Sequence, residues 1–202
     1  MTAATSSSPG RPRAASRELL AEAAVELFQR DGFEATTIAQ ISQLAGVSRN
    51  TFFNYFASKA DVLWFDFDPL LAGIGSQLAA TSGTLSALEA IAAVLQGFAR
   101  EVDARSGDLV VGKTVFAAGA RGDSSAFDTR MSTLAGVVAE YAAVRLNDDP
   151  DALQPQLLGA LAATVLRVSL TSWARDVQPG SGLSTHVAEG MGAVTRMLVL
   201  PR

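Results

Sequence analysis

Gly46 constrains this chain more than any other residue. It separates two short runs, TIAQISQLA from Thr37 and SRNTFFNYF from Ser48, each with apolar residues at helical spacing. Thr36 and Thr37 stand just ahead of the first run, where a hydroxyl residue caps a helix. Ile38, Ile41, Leu44 and Ala45 then predict one buried stripe. Gly46 stops that helix, because glycine takes the left-handed conformation that a C-cap needs. Val47 is expected to pin the turn into the core, and Ser48 to cap the second helix. Arg49, Asn50 and Thr51 then form an exposed first turn, with Phe52 and Phe56, four apart, facing inward.

Two short helices joined by such a turn are the layout of a helix-turn-helix, whose second helix enters the major groove of DNA. The stretch resembles the DNA-binding domain of the tetracycline-repressor (TetR) family of transcription regulators. Thr37, Ile38, Ile41, Ala45, Gly46, Val47, Ser48, Thr51, Phe52, Phe53, Tyr55, Phe56, Ser58 and Lys59 match that family's pattern in one fixed frame. Ser42 departs where the family usually has alanine, and Phe53 where tyrosine is commoner. The motif covers the first third of the chain; the remainder resembles the family in helix layout alone.

The resemblance implies an all-α fold of about nine helices, with a three-helix DNA-binding domain over 16–60 and a regulatory and dimerisation domain over 61–202. It also assigns the DNA contacts. Arg49, Asn50 and Asn54 face outward from the second helix, and arginine suits guanine edges while asparagine suits adenine edges. Thr37, Ser48, Thr51, Phe53, Tyr55 and Lys59 occupy positions that cap the two helices or touch phosphates. The expected partners are a near-palindromic double-stranded operator, a second copy of the chain and a small-molecule effector, with no cofactor.

The net charge of −4 at first argues against DNA. Residues 1–65, however, hold six basic and six acidic residues, and residues 66–202 hold ten and fourteen. The acid excess therefore lies away from the proposed DNA surface, and screening shortens its reach. Apolar residues make up 49 % and charged residues 18 %, the balance of a globular chain. No run of about 18 apolar residues predicts a membrane span, and the N-terminus lacks the apolar segment of a signal peptide, so a cytoplasmic location is expected. The absence of cysteine excludes disulfides and thiolate metal sites.

Residues 1–15 are small, polar and rich in Ser, Pro and Gly, and read as a disordered arm. Arg11 and Arg13 in it are expected to reach phosphates or the minor groove. Ser16 caps the first helix, with Leu19, Leu20, Ala23, Ala24, Leu27 and Phe28 as its buried stripe. Ser58 is expected to cap a fourth helix that places Lys59 against a DNA phosphate and breaks or kinks near Pro69. Gly-, Pro-, Asn- and Ser-rich breaks then divide the rest into helices at about 84–105, 108–120, 124–147, 151–177 and 184–199.

The helix at 151–177 carries apolar residues around nearly its whole circumference, so both of its sides should be buried. In the family this helix and the last one form a four-helix bundle with their copies. The interface residues expected are Leu158, Val165, Trp173, Val187, Met191, Val194 and Leu198. Large and small residues mixed in the middle helices can leave a cavity. Its candidate lining is Trp64, Phe67, Phe98, Phe116 and Phe127, with Arg121 and Arg167 for an anionic head group; each arginine could instead pair with an acid such as Asp128 or Glu140. Residues 64–68 further resemble a subgroup proposed to bind acyl-coenzyme-A-like ligands, including regulators of mycofactocin clusters.

A helical enzyme is the alternative, and a ligand-independent architectural DNA-binding protein a third reading. His186 is the only histidine, its spacing to Glu189 makes a single i, i+3 pair, and Gly73-x-Gly75 and Gly180-x-Gly182 follow no strand. Glu18, Glu22 and Glu26 read as a solvated helix face. No catalytic or metal residue is assigned.

Overall fold

The computed structural model describes residues 13–105, 125–176 and 181–198. The described residues are helical and fall into two compact units divided between Val62 and Leu63.

The first unit holds α1 (Arg13–Asp31), α2 (Ile38–Leu44) and α3 (Arg49–Phe53). Leu20, Ala24, Leu27 and Phe28 bury one side of α1, as their spacing predicts. Phe33 turns back after Gly32, and its ring stands 5.0 Å from that of Phe28. Ile41, Phe52 and Phe56 complete this core. Helix α1 begins at Arg13, inside the stretch expected to be a disordered arm, so Arg13 belongs to the helix backbone. Arg11 lies outside the described residues.

A short 3-10 turn, Asp61–Trp64, carries the chain onward. Ser58 does cap it, with the Asp61 amide donating to Ser58 Oγ at 3.2 Å, but no α-helix starts there. Helix α4 begins at Asp68 and runs to Ala79. The break expected near residues 65–68 is present, and Pro69 lies just past it, in the first turn of the new helix. In the first turn its missing N–H has no partner to lose, and its fixed φ suits the helix.

The second unit continues with α5 (Ala87–Ala104), α6 (Ser125–Leu146), α7 (Leu153–Arg175) and α8 (Leu183–Leu198). The helix expected at 108–120 lies outside the described residues. Trp64, Phe67, Leu95, Phe98, Phe127, Leu166, Leu170 and Trp173 share one core. Gly159 lets α7 lie directly on α6, since a Cβ there would collide with the Ala135 carbonyl. Asp103, at the end of α5, caps α8 from a distance: its carboxylate accepts from the amides of Leu183 at 2.6 Å and Ser184 at 3.0 Å. Helix α7 is long and apolar enough to cross a membrane by length and composition alone. Its Leu166, Leu170 and Trp173 are instead buried among the other helices of the unit.

Candidate functional site

The turn between α2 and α3 is built by local chemistry. Thr37 and Gln40 form a capping box: Thr37 Oγ1 accepts from the Gln40 amide at 3.3 Å, and Gln40 Oε1 accepts from the Thr37 amide at 2.8 Å. Gly46 has φ +67°, and the Val47 amide donates back to the Ser42 carbonyl at 2.9 Å. Ser48 Oγ then accepts from the Thr51 amide at 3.0 Å and starts α3.

These bonds fix how α3 is turned. Phe52 and Phe56 are buried, with rings 5.6 Å apart. Arg49, Asn50, Phe53 and Asn54 are therefore exposed together, while Thr51 and Tyr55 are half-buried at the flank. A guanidinium, two amides and one aromatic edge can meet base edges and a phosphate chain. The hydroxyls of Thr37 and Ser48 are occupied as caps.

Two residues of the first run differ from the predicted stripe. Leu44 is exposed, and Ser42 takes the buried place beside Ile41. Ser42 Oγ has no hydrogen-bond partner there. Lys59 also differs from its expected role. Its ammonium donates to the carbonyls of Phe33 at 2.7 Å, Thr36 at 3.1 Å and Glu34 at 3.3 Å. An ammonium has three protons. Lys59 is therefore bound to the α1–α2 loop, where the sequence suggested a DNA phosphate.

Residues 20–63 match the family model described as bacterial regulatory proteins, tetR family. Over these residues, which hold the helix-turn-helix, the chain is similar to that family. It is 33% identical over 89 residues to a Mycobacterium tuberculosis protein named as mycofactocin biosynthesis transcriptional regulator MftR, a match covering 44% of this chain and 45% of that one. It is 40% identical over 67 residues to the HTH-type transcriptional regulator TcmR of Streptomyces glaucescens, covering 30% of each. The chain thus spans less than half the length of these curated relatives. Its fold resembles that of Thermus thermophilus FadR, a transcriptional repressor solved with lauroyl-CoA, with a TM-score of 0.60, 24% identity, and 92% and 96% of the two chains covered. Bacillus subtilis FadR, solved with stearoyl-CoA, gives a TM-score of 0.56 at 17% identity, covering 88% of this chain and 96% of that one. At these identities the likeness is one of tetR-type fold.

In the second unit the described aromatic residues expected to line a cavity are core residues. Trp64, Phe67, Phe98 and Phe127 are each at most 5 % exposed. Trp64 packs edge-on against Phe67 and Phe127, at 5.9 and 5.1 Å between ring centres, the geometry that opposed ring quadrupoles favour. Arg167 lies 2.6 Å from Asp128 and over the Phe127 ring, so the acid-pairing alternative holds for it. Phe116 and Arg121 lie outside the described residues.

A cleft of about 530 Å³ opens elsewhere, between α4 and α6. Leu71, Ala72, Gly75, Leu134 and Val137 form its apolar walls, and Asp68, Ser76, Arg130, Thr133 and Glu140 add polar groups. Arg130 and Asp68 form a two-pronged ion pair, with N–O distances of 2.6 and 2.7 Å. The guanidinium also donates to the Ala126 carbonyl at 3.0 Å and lies over the Trp64 ring. Of the cleft residues the sequence ties only Asp68, through the resemblance at 64–68, to a ligand. Gly75, one half of a glycine pair dismissed as a nucleotide loop, was their faintest sequence signal: small residues let the α4 wall open.

The interface residues also need correction. Val165, Trp173 and Val187 are buried within their own unit, with Val165 beside Gly190 of α8. Leu158 and Met191 are half-buried and pack against that core, Val194 is half-buried, and the Leu198 side chain lies outside the described residues. The apolar residues left exposed are Leu153, Leu157 and Val168 on α7 and Met197 on α8. At about 100° per residue the three on α7 fall within an arc of about 60°.

Proposed function

We propose that this chain is a homodimeric transcription repressor that leaves a near-palindromic operator when a small hydrophobic or amphipathic molecule binds its second unit. The observation carrying this reading is the outward cluster of Arg49, Asn50, Phe53 and Asn54, held by a helix whose other face is locked by Phe52 and Phe56. Such a face reads DNA without turnover chemistry, in the cytoplasm where the DNA lies.

Dimerisation is supported by the exposed apolar stripe of Leu153, Leu157 and Val168 on α7, a helix whose other side is buried in its unit. Paired half-sites need paired readers. Effector binding is supported by the α4–α6 cleft, whose volume suits a small organic molecule. The similar FadR structures hold acyl-CoA molecules, so acyl chains are one natural class to screen. An effector releases DNA only if it binds one conformation more tightly than the other.

The test is selection of duplexes from a random pool, followed by fluorescence anisotropy with and without candidate effectors. The expected result is an inverted repeat bound by two chains and released by at least one apolar small molecule. Selection of a single unrepeated half-site, or no selection, would overturn the reading.

A further inference from the structure

The α4–α6 cleft has a definite electrostatic character. Its one cation among the described lining residues is Arg130, which is held by both oxygens of Asp68, by the Ala126 carbonyl and by the Trp64 ring face. The Arg130 side chain is only 17% exposed and that of Asp68 31%. Their charges cancel where they meet. Ten residues further along α6, about 15 Å away, Glu140 lines the same cleft with no hydrogen bond or ion pair to a described residue. Between them, Thr133 Oγ1 gives its proton to the Thr129 carbonyl at 3.0 Å and keeps only accepting lone pairs. One end of the cleft is thus a neutralised pair and the other an uncompensated carboxylate, with apolar wall between and acceptors left over.

We propose that the effector of this cleft is a cationic amphiphile: an apolar body lying along Leu71, Gly75 and Val137, and an ammonium or comparable donor at Glu140. This rests on the effector reading above and gives it a charge. An anionic head group would face Glu140 and find Arg130 already engaged. To take that guanidinium it would have to displace Asp68 and leave a second carboxylate unpaired beside it. A cation instead gains the attraction of the Glu140 carboxylate without breaking anything. The cleft therefore discriminates by charge more than by shape.

Three probes sharing one body test this: 6-phenylhexylamine, 6-phenylhexan-1-ol and 6-phenylhexanoate. Their binding to the full chain is measured by calorimetry without DNA. The amine should bind at least tenfold more tightly than the carboxylate, with the alcohol between. Glu140→Gln, at an exposed position, should bring the amine to the level of the alcohol. Ala72→Trp, which fills the apolar wall, should weaken all three. The proposal is overturned if the carboxylate binds as well as the amine, if Glu140→Gln leaves the amine preference intact, if Ala72→Trp leaves amine binding unchanged, or if no probe binds. Operator release is measured separately. Tight amine binding that leaves DNA bound sinks the effector-release reading alone, and release by the carboxylate without amine preference sinks only the charge assignment.

Discussion

The ammonium of Lys59 donates to the Phe33 carbonyl at 2.7 Å and stands 4.5 Å from the centre of the Phe33 ring. One side chain thus ties the segment after α3 to the loop before α2. Hydrogen bonds to a charged group contribute about 1.5–3 kcal/mol, and the buried partners lose more when left unmade.

Lys59→Ala should therefore destabilise the DNA-binding unit by about 2 kcal/mol. Its DNA affinity should fall in step with unfolding, with little change in the salt slope. Urea melts and anisotropy titrations at several salt concentrations give both quantities. A stable variant whose slope drops by about 0.9, the signature of one lost phosphate contact, would return Lys59 to the phosphate.

Arg49→Ala should behave in the opposite way. Arg49 is exposed on α3, so its loss should leave the melting curve unchanged. Preference should relax at one base pair per half-site, by about 1–3 kcal/mol. A uniform loss of affinity across all operator variants would rule out base reading by this residue.

Ser42→Ala should stabilise the first unit by about 1 kcal/mol. The Ser42 hydroxyl is 2% exposed and unbonded, so it loses water on folding and gains nothing. Chemical denaturation of parent and variant decides the sign, and an unchanged or lower midpoint refutes the account.

Leu157→Glu and Val168→Glu should each give a folded monomer with weak operator binding. Both side chains are more than half exposed, so the folded chain tolerates the charge while an apolar interface does not. Light scattering of parent and variants is the check. A parent protein that is monomeric at micromolar concentration would dispose of the interface. Val165→Glu, by contrast, should damage the fold itself.

The start of α5 should loosen in acid. Glu89 accepts from the Ser86 amide and hydroxyl at 2.8 and 2.7 Å, and these bonds hold its carboxyl below the ordinary glutamate range. A depressed folded value means that the added stability is complete above the unfolded value and is lost as pH falls through the folded one. Amide exchange in the first turn of α5 should therefore rise below about pH 4.5, and Glu89→Gln should flatten that rise. The equivalent box at Thr37 uses Gln40, which has no charge to lose.

The parts of this protein legible in the sequence are those set by neighbours along the chain. Caps at Thr37 and Ser48, the left-handed turn at Gly46 and the inward pair Phe52 and Phe56 each depend on contacts three to five residues away, so residue type and spacing decide them. Partners distant in sequence were not legible. Lys59 reaches 26 residues back to Phe33, and Arg130 reaches 62 residues back to Asp68. A lysine beside a helix cap looks equally ready for a phosphate or for a loop carbonyl, and only the fold brings the carbonyl near. The same limit explains α7. Apolar residues around its circumference are evident in the sequence, but which of them a monomer covers depends on where α6 and α8 lie. Packing alone decided that Val165 and Trp173 are core, that Leu157 and Val168 face outward, and that Trp64, Phe67, Phe98 and Phe127 are core while the cleft opens at Gly75.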